Sequence, residues 1–421
     1  MKYNKNIISS GAFPQDFLWG AATSGYQTEG NNSDADIWLL EQVTPTVFRE
    51  KSKAACNSFT LWRDDLDIIA GMHLNSYRFS LEWSRLEPRP GEFSASATAH
   101  YRRLLEHCIV LGIQPFVTLN HFVSPQWFAA QGGWLNPRAS DYFVRYCEYV
   151  VREFGDLLRQ VITFNEPNIL RTLRVLGLPE EVWQRQEQML VSAAKYCGSE
   201  RFSVINATAR TDLEAMNHNL VYGHIAARRA IKDLHPEIEV GFTLAVLDDQ
   251  PVGEDSLCAS KQEENYGAWL AIADDADFIG VQNYERVPWN SEGRAALPDY
   301  AQINDMGGWV TPDSLASTVR YIYSRTQRPL YVTEHGIATK NDELRASFLA
   351  ESLCQLSQTL AEGIPLKGYF HWSLLDNYEW VSGYDMHFGL CAVDPVSFQR
   401  TLKPSAGIYR DIVAQQRGVS Q

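Results

Sequence analysis

Eight short apolar runs recur along this chain, and each is followed by a longer segment with helical periodicity. The runs are 17–22, 76–83, 114–120, 161–166, 238–246, 277–284, 329–334 and 367–374. They are rich in Val, Ile, Phe, Tyr and Thr and mostly lack strict alternation, which is how a parallel strand covered on both faces reads. Between them, Phe143, Tyr146, Cys147, Val150, Val151 and Phe154 fall on one helical face. Leu349, Leu353, Leu356 and Leu360 form a second stripe, opened by Asn341 as N-cap and stopped near Gly363 and Pro365. Thr311-Pro312 is expected to open another helix, with proline at its first position. Eight such alternations predict an α/β fold, a single (β/α)8 barrel domain over 1–421. A bare barrel uses ~250 residues, so about 170 remain for long loops. The rival, an open doubly wound sheet, would show a Gly-rich first turn, and neither GxGxxG nor GxxxxGK[ST] occurs.

Charge and cysteine usage narrow the chemistry. The formal net charge is −14, so nucleic acid and anionic membrane surfaces are poor partners and a neutral small molecule is expected. Seven cysteines lie far apart with no CxxC spacing, which argues against a disulfide framework and a structural zinc site. Residues 1–12 contain no apolar run of signal-peptide length, and no window approaches a membrane span. A reducing cytoplasm is the expected location. GxSxG and HExxH are both absent, so neither a serine-hydrolase elbow nor a metalloprotease helix is expected, and no metal ligands stand at recognisable spacing.

In a barrel, chemistry collects where the strands end. Those ends read Gln27 past the first run, Arg78 and Glu82 in the second, and Asn120-His121 in the third. Then come Asn165-Glu166-Pro167, Asn283-Tyr284, Thr333-Glu334-His335-Gly336, and Trp372 with Glu379-Trp380 beyond it. Glu, Gln, Asn and His suit sugar hydroxyls, and a flat aromatic suits the apolar face of a pyranose. Glu166 and Glu334 can face each other across one pocket, as glycosidic hydrolysis requires. Arg78 inside an apolar strand needs a carboxylate partner. Glu82 and Arg85 read as an ordinary rim pair.

At these residues the sequence resembles glycoside hydrolase family 1, the retaining β-glycosidases. The matching blocks are 17–30, 77–85, 118–122, 163–168, 277–284, 332–336, 368–380 and 402–405. The resemblance implies a (β/α)8 barrel without metal or organic cofactor, with Glu334 as nucleophile, Glu166 as acid/base and Asn165 on the sugar 2-hydroxyl. Arg78 and Tyr284 would orient Glu334. Gln27, His121, Asn283, Glu379 and Trp380 would bind the glycone over a floor formed by Trp372. It further implies a carboxyl separation of ~5–5.5 Å. The Glu379 carboxylate would disfavour a 6-phosphate, so an unphosphorylated β-glucoside is expected, aryl or short cello-oligosaccharide. Transfer of the glycosyl group to an alcohol or sugar, or a non-catalytic sugar-binding role, are the alternatives. Three positions depart from the family pattern, Phe122, His335 and His387, and segment 169–202 lacks the usual Gly/Pro-rich loop. A reshaped, more open leaving-group site is therefore expected.

Overall fold

The computed structural model describes residues 8–419, so the first seven residues of the leader-free N-terminal reading lie outside the described residues. Eight strands form the centre: β1 (Leu18–Ala22), β2 (Ser76–Ser80), β3 (Gln114–Asn120), β4 (Gln160–Asn165), β5 (Glu239–Ala245), β6 (Phe278–Asn283), β7 (Leu330–His335) and β8 (Leu366–Trp372). All eight predicted runs are present. The largest boundary difference is in β2, which stops at Ser80, because Trp83–Leu86 turns into a short helix. The strands pair in parallel and in chain order. β8 closes on β1, with Leu18 opposite Gly368 and Ala22 opposite Trp372. The protein is a (β/α)8 barrel.

Eight helices form the outer layer: α1 (Ser58–Gly71), α2 (Ala95–Val110), α3 (Ala139–Phe154), α4 (Leu213–Leu234), α5 (Cys258–Leu270), α6 (Ser314–Thr326), α7 (Asp342–Ala361) and α8 (Pro404–Arg417). The stripe read from sequence on α3 is buried throughout. Asn341 caps α7 as expected, its side chain accepting the amides of Glu343 and Leu344 at 3.1 and 3.2 Å. α6 differs: Pro312 precedes its first residue, Ser314, by two positions, and the Asp313 carboxylate is drawn to Arg286 at 2.7 Å instead of capping.

Both faces of the strands are covered, which explains their unbroken apolar character. Inside the barrel, Phe116 packs on Phe278, Tyr331 and Phe370 with ring centroids 5.0 to 5.5 Å apart. Glycines make room for this plug: a Cβ on Gly20 would sit 2.4 Å from Phe370, and one on Gly241 2.5 Å from Phe278. The rings sit mainly toward the N-terminal half of the strands, leaving the C-terminal end open. The α-helices added to the barrel follow strand C-termini. They include the helices Gly25–Glu29, Asp36–Leu40, Gln126–Ala130, Ile169–Val175 and Glu180–Cys197. All seven cysteines are unpaired, five of them buried, and no described helix is long and apolar enough to cross a membrane.

The aromatic plug should dominate barrel stability. Phe116→Ala is expected to remove ~3–5 kcal/mol, read as a lowered denaturant midpoint; a change below 1 kcal/mol, by contrast, would place the barrel's main packing elsewhere.

Candidate active site

The strand C-termini surround a cavity of about 440 Å³. This is within the range of small-molecule sites. Glu166 and Glu334 both line it, together with Gln27, His121, Asn165, Tyr284, Trp372, Glu379 and Trp380.

Arg78 organises the floor. Its side chain is completely buried in β2, where a lone charge would be prohibitive. Nη1 donates to Glu334 Oε1 at 2.6 Å and to the Thr333 carbonyl at 3.1 Å. Nη2 donates to Asn165 Oδ1. Tyr284 completes the hold on Glu334, its hydroxyl donating to Oε2 at 2.6 Å. Both Glu334 oxygens are thus fixed. Burial raises the Glu334 pKa, while Arg78 and the Tyr284 hydroxyl oppose that rise. Burial holds Glu166 well above the usual carboxylate range, and the nearby charge of Glu334 adds to the effect. With the arginine bonded to Glu334 and not to Glu166, the pair is polarised: charge is favoured on Glu334 and the proton on Glu166.

Asn165 is locked in one orientation. Its Oδ1 accepts from Arg78 and from Gln282 Nε2 at 2.8 Å, and its Nδ2 has no protein partner. His121 Nδ1 is also buried without a partner. Burial and Arg78 keep that histidine well below its usual pKa, so its ring is neutral. The ring lies nearly parallel to Trp372 and Trp380, with centroids 5.7 and 6.3 Å away. Gln27 is held by Ser24 at Oε1, and its Nε2 donates to the Tyr378 carbonyl at 2.8 Å and to Glu379 at 3.3 Å. Burial and the Glu334 charge push Glu379 up to about 8, with hydrogen bonds from Gln27 and Trp372 opposing. Its carboxyl therefore holds a proton far more readily than an exposed glutamate does.

The backbone explains how neighbouring residues reach the same cavity. Phe122, Glu166 and Trp380 have φ of +69°, +42° and +48°. Each follows another cavity residue, respectively His121, Asn165 and Glu379. The left-handed conformation breaks strand alternation and lets both members of the pair face inward. Such backbone costs of order 1–3 kcal/mol per residue and persists where the surroundings enforce it.

Asn283 corrects the sequence reading. Its Nδ2 donates to the Val246 and Glu285 carbonyls and its Oδ1 accepts from Ser314, so its side chain braces the loops and does not line the cavity. Gln282 lines it instead, in register with Glu334. The signal was present: Gly280, Gln282 and Tyr284 share one face, and Asn283 lies on the other. A second correction concerns Arg85, which pairs with Glu29 at 2.6 Å and not with Glu82. Glu82 accepts from Asn32 and Ser80. Of the three departures, only Phe122 lines the cavity. His335 points into the helical layer, bonded to the Tyr369 hydroxyl at 3.0 Å and stacked on Phe348. His387 pairs with Asp376.

A family model described as Glycosyl hydrolase family 1 matches residues 9–280 and 264–418. The chain is 30% identical to the cytosolic beta-glucosidase of Homo sapiens, over 91% of this chain and 93% of that one. It is 28% identical to beta-glucosidase A of Acetivibrio thermocellus, covering 96% and 99%. The crystal structure of beta-glycosidase BGL167 superposes with a TM-score of 0.91 at 38% identity, covering 97% of this chain and 98% of that one. Taken with a buried, polarised pair of carboxyls at the mouth of a (β/α)8 barrel, these matches make the chain a glycoside hydrolase that belongs to glycosyl hydrolase family 1.

Proposed function

We propose that this protein is a retaining β-glucosidase acting on unphosphorylated β-glucosides, with Glu334 as nucleophile and Glu166 as acid/base. The observation that carries the reading is the unequal environment of the two carboxyls. Arg78 and Tyr284 hold Glu334 ionised and immobile, and Glu166 has no such partner. Glu334 attacks the anomeric carbon as the glycosidic C–O bond breaks, and Glu166 gives its proton to the departing oxygen. A covalent glycosyl ester on Glu334 results. Glu166, now a carboxylate, takes a proton from water; the water oxygen bonds the anomeric carbon and Glu334 leaves.

The glycone fits the polar end of the cavity. The Asn165 amide N–H and His121 Nδ1, unpaired within the protein, suit ring hydroxyls, and the Trp372 indole suits the apolar sugar face. Glu379, holding its proton to about pH 8, can donate as well as accept. A phosphorylated glycone would need cations. Among the described cavity residues the only Lys or Arg is Arg294, which comes from the loop after β6. Seven unpaired thiols support a reducing compartment.

Replacing the nucleophile tests the assignment most directly. Glu334→Gln should lose ~10⁵-fold or more in kcat on para-nitrophenyl β-glucoside; near-normal turnover would remove Glu334 from the mechanism. Glu166→Ala should still form the glycosyl-enzyme from this substrate, whose leaving group needs little acid help. Added azide should then release the sugar as the β-configured azide. An α-azide, or no rescue, would contradict a retaining mechanism with Glu166 as acid/base. The same residue sets the pH dependence. Glu166 works protonated, so kcat/KM should be maintained through neutral pH and fall as pH rises through its raised pKa. That basic limb should vanish in Glu166→Ala, and its survival would assign the limb to another group.

A further inference from the structure

The cavity lining divides by position around the barrel. Gln27, His121, Trp372, Glu379 and Trp380 follow β1, β3 and β8. The opposite side follows β4, β5 and β6, and its character is different. Ile169, Thr172, Leu173 and Leu176 line the cavity at spacings of i, i+3, i+4 and i+7. They form one face of the helix Ile169–Val175, continued into Leu176, whose backbone is still helical. This segment was expected to leave the leaving-group site open; it folds instead into an apolar wall. Met306, from the loop after β6, also lines the cavity and is 55% exposed.

The polar groups beside the helix are engaged within the protein, while the free ones on this side, Gln282 Oε1 and the Asn165 amide N–H groups, lie beside the two carboxyls. Thr172 Oγ1 donates to Asn265 Oδ1 at 2.9 Å. Asn304 Oδ1 accepts the amides of Met306 and Gly308. Glu285 and Arg294 pair with each other. A second sugar placed against the helix face would bring several hydroxyls to Ile169, Leu173 and Leu176. An aromatic ring would lose nothing by leaving water and would bury the apolar side chains that the wall presents.

We propose that this wall selects an aryl or arylalkyl alcohol as the leaving group in preference to a second sugar, with Leu173 and Leu176 as specificity-determining residues. The proposal rests on the β-glucosidase reading above and narrows its two substrate classes to one. These two leucines are the determinants because both are only partly buried and line the cavity, while Leu173 packs on the Leu170, Trp183 and Leu213 cluster and Leu176 on the Val175, Leu247 and Trp289 cluster, which hold the helix in place.

Benzyl β-glucoside, methyl β-glucoside and cellobiose all release an aliphatic alcohol, so differences among them report binding on the leaving-group side more than leaving-group chemistry. The expected kcat/KM for benzyl β-glucoside exceeds that for each of the other two by ~10-fold or more. Leu173→Asn should lower the benzyl-to-methyl ratio ~10-fold, and Leu176→Asn should lower it independently. The second variant keeps the test sound if the first fails to fold. Equal or better turnover of cellobiose, or an unchanged ratio in the folded variants, would overturn the proposal while hydrolysis of methyl β-glucoside upheld the reading beneath it. Absence of hydrolysis of all three by folded wild type would overturn both.

Discussion

A fully buried guanidinium sets the terms for this molecule. Arg78 sits in β2, and the groups that neutralise and bind it come from β4 and β7, across the barrel from its own strand. The site cannot relax around a missing partner, because removing one member of a buried pair leaves an uncompensated charge worth ~3–5 kcal/mol. That requirement fixes three things at once. Charge is favoured on Glu334, Asn165 is turned so that its N–H groups are free, and the two strands that carry the carboxyls keep their relative position. The proton on Glu166 follows from the same arrangement. One cation serves two acids in one cavity, and it is bonded to only one of them.

The second organising device is backbone conformation. A strand delivers every other side chain to the barrel interior, so it supplies few functional groups per unit length. At His121-Phe122, Asn165-Glu166 and Glu379-Trp380 the chain turns left-handed at the second residue and delivers two consecutive side chains. None of these residues is glycine, so each carries strain that the surrounding packing must hold. Glu166 shows how. Its amide donates to the Thr243 carbonyl of β5, and its carbonyl accepts from Ile169, so the residue is pinned on both sides before the helix Ile169–Val175 begins. The acid/base candidate and the apolar wall are therefore parts of one local structure.

The barrel was legible because burial on both faces leaves its mark on every strand. All eight strands were found, and the α3 stripe and the Asn341 cap followed from local rules that tertiary packing did not override. Glu166 and Glu334 were legible as strand ends. Asn283 was misplaced because it was read by adjacency to Tyr284, where alternation should have put it on the opposite face. Glu82 and Arg85 were paired by proximity in sequence; the arginine went to Glu29, which a separate loop after β1 brings alongside. The wall after β4 was the least legible part. Apolar residues at helical spacing look the same whether they cover a core or face a cavity, and only the position of Ile169–Val175 over the strand ends separates the two.

Under the proposed function the two sides of the cavity would discriminate by different physics. On the glycone side, Asn165 and His121 present buried polar atoms with no partner in the protein. A sugar lacking the matching hydroxyl would leave them unsatisfied, and sites of that kind reject such analogues by up to ~10⁴-fold. On the other side, an apolar wall distinguishes ligands by contact area, where each group is worth only ~10–200-fold. The same cavity should therefore be strict about the sugar and graded about what is attached to it.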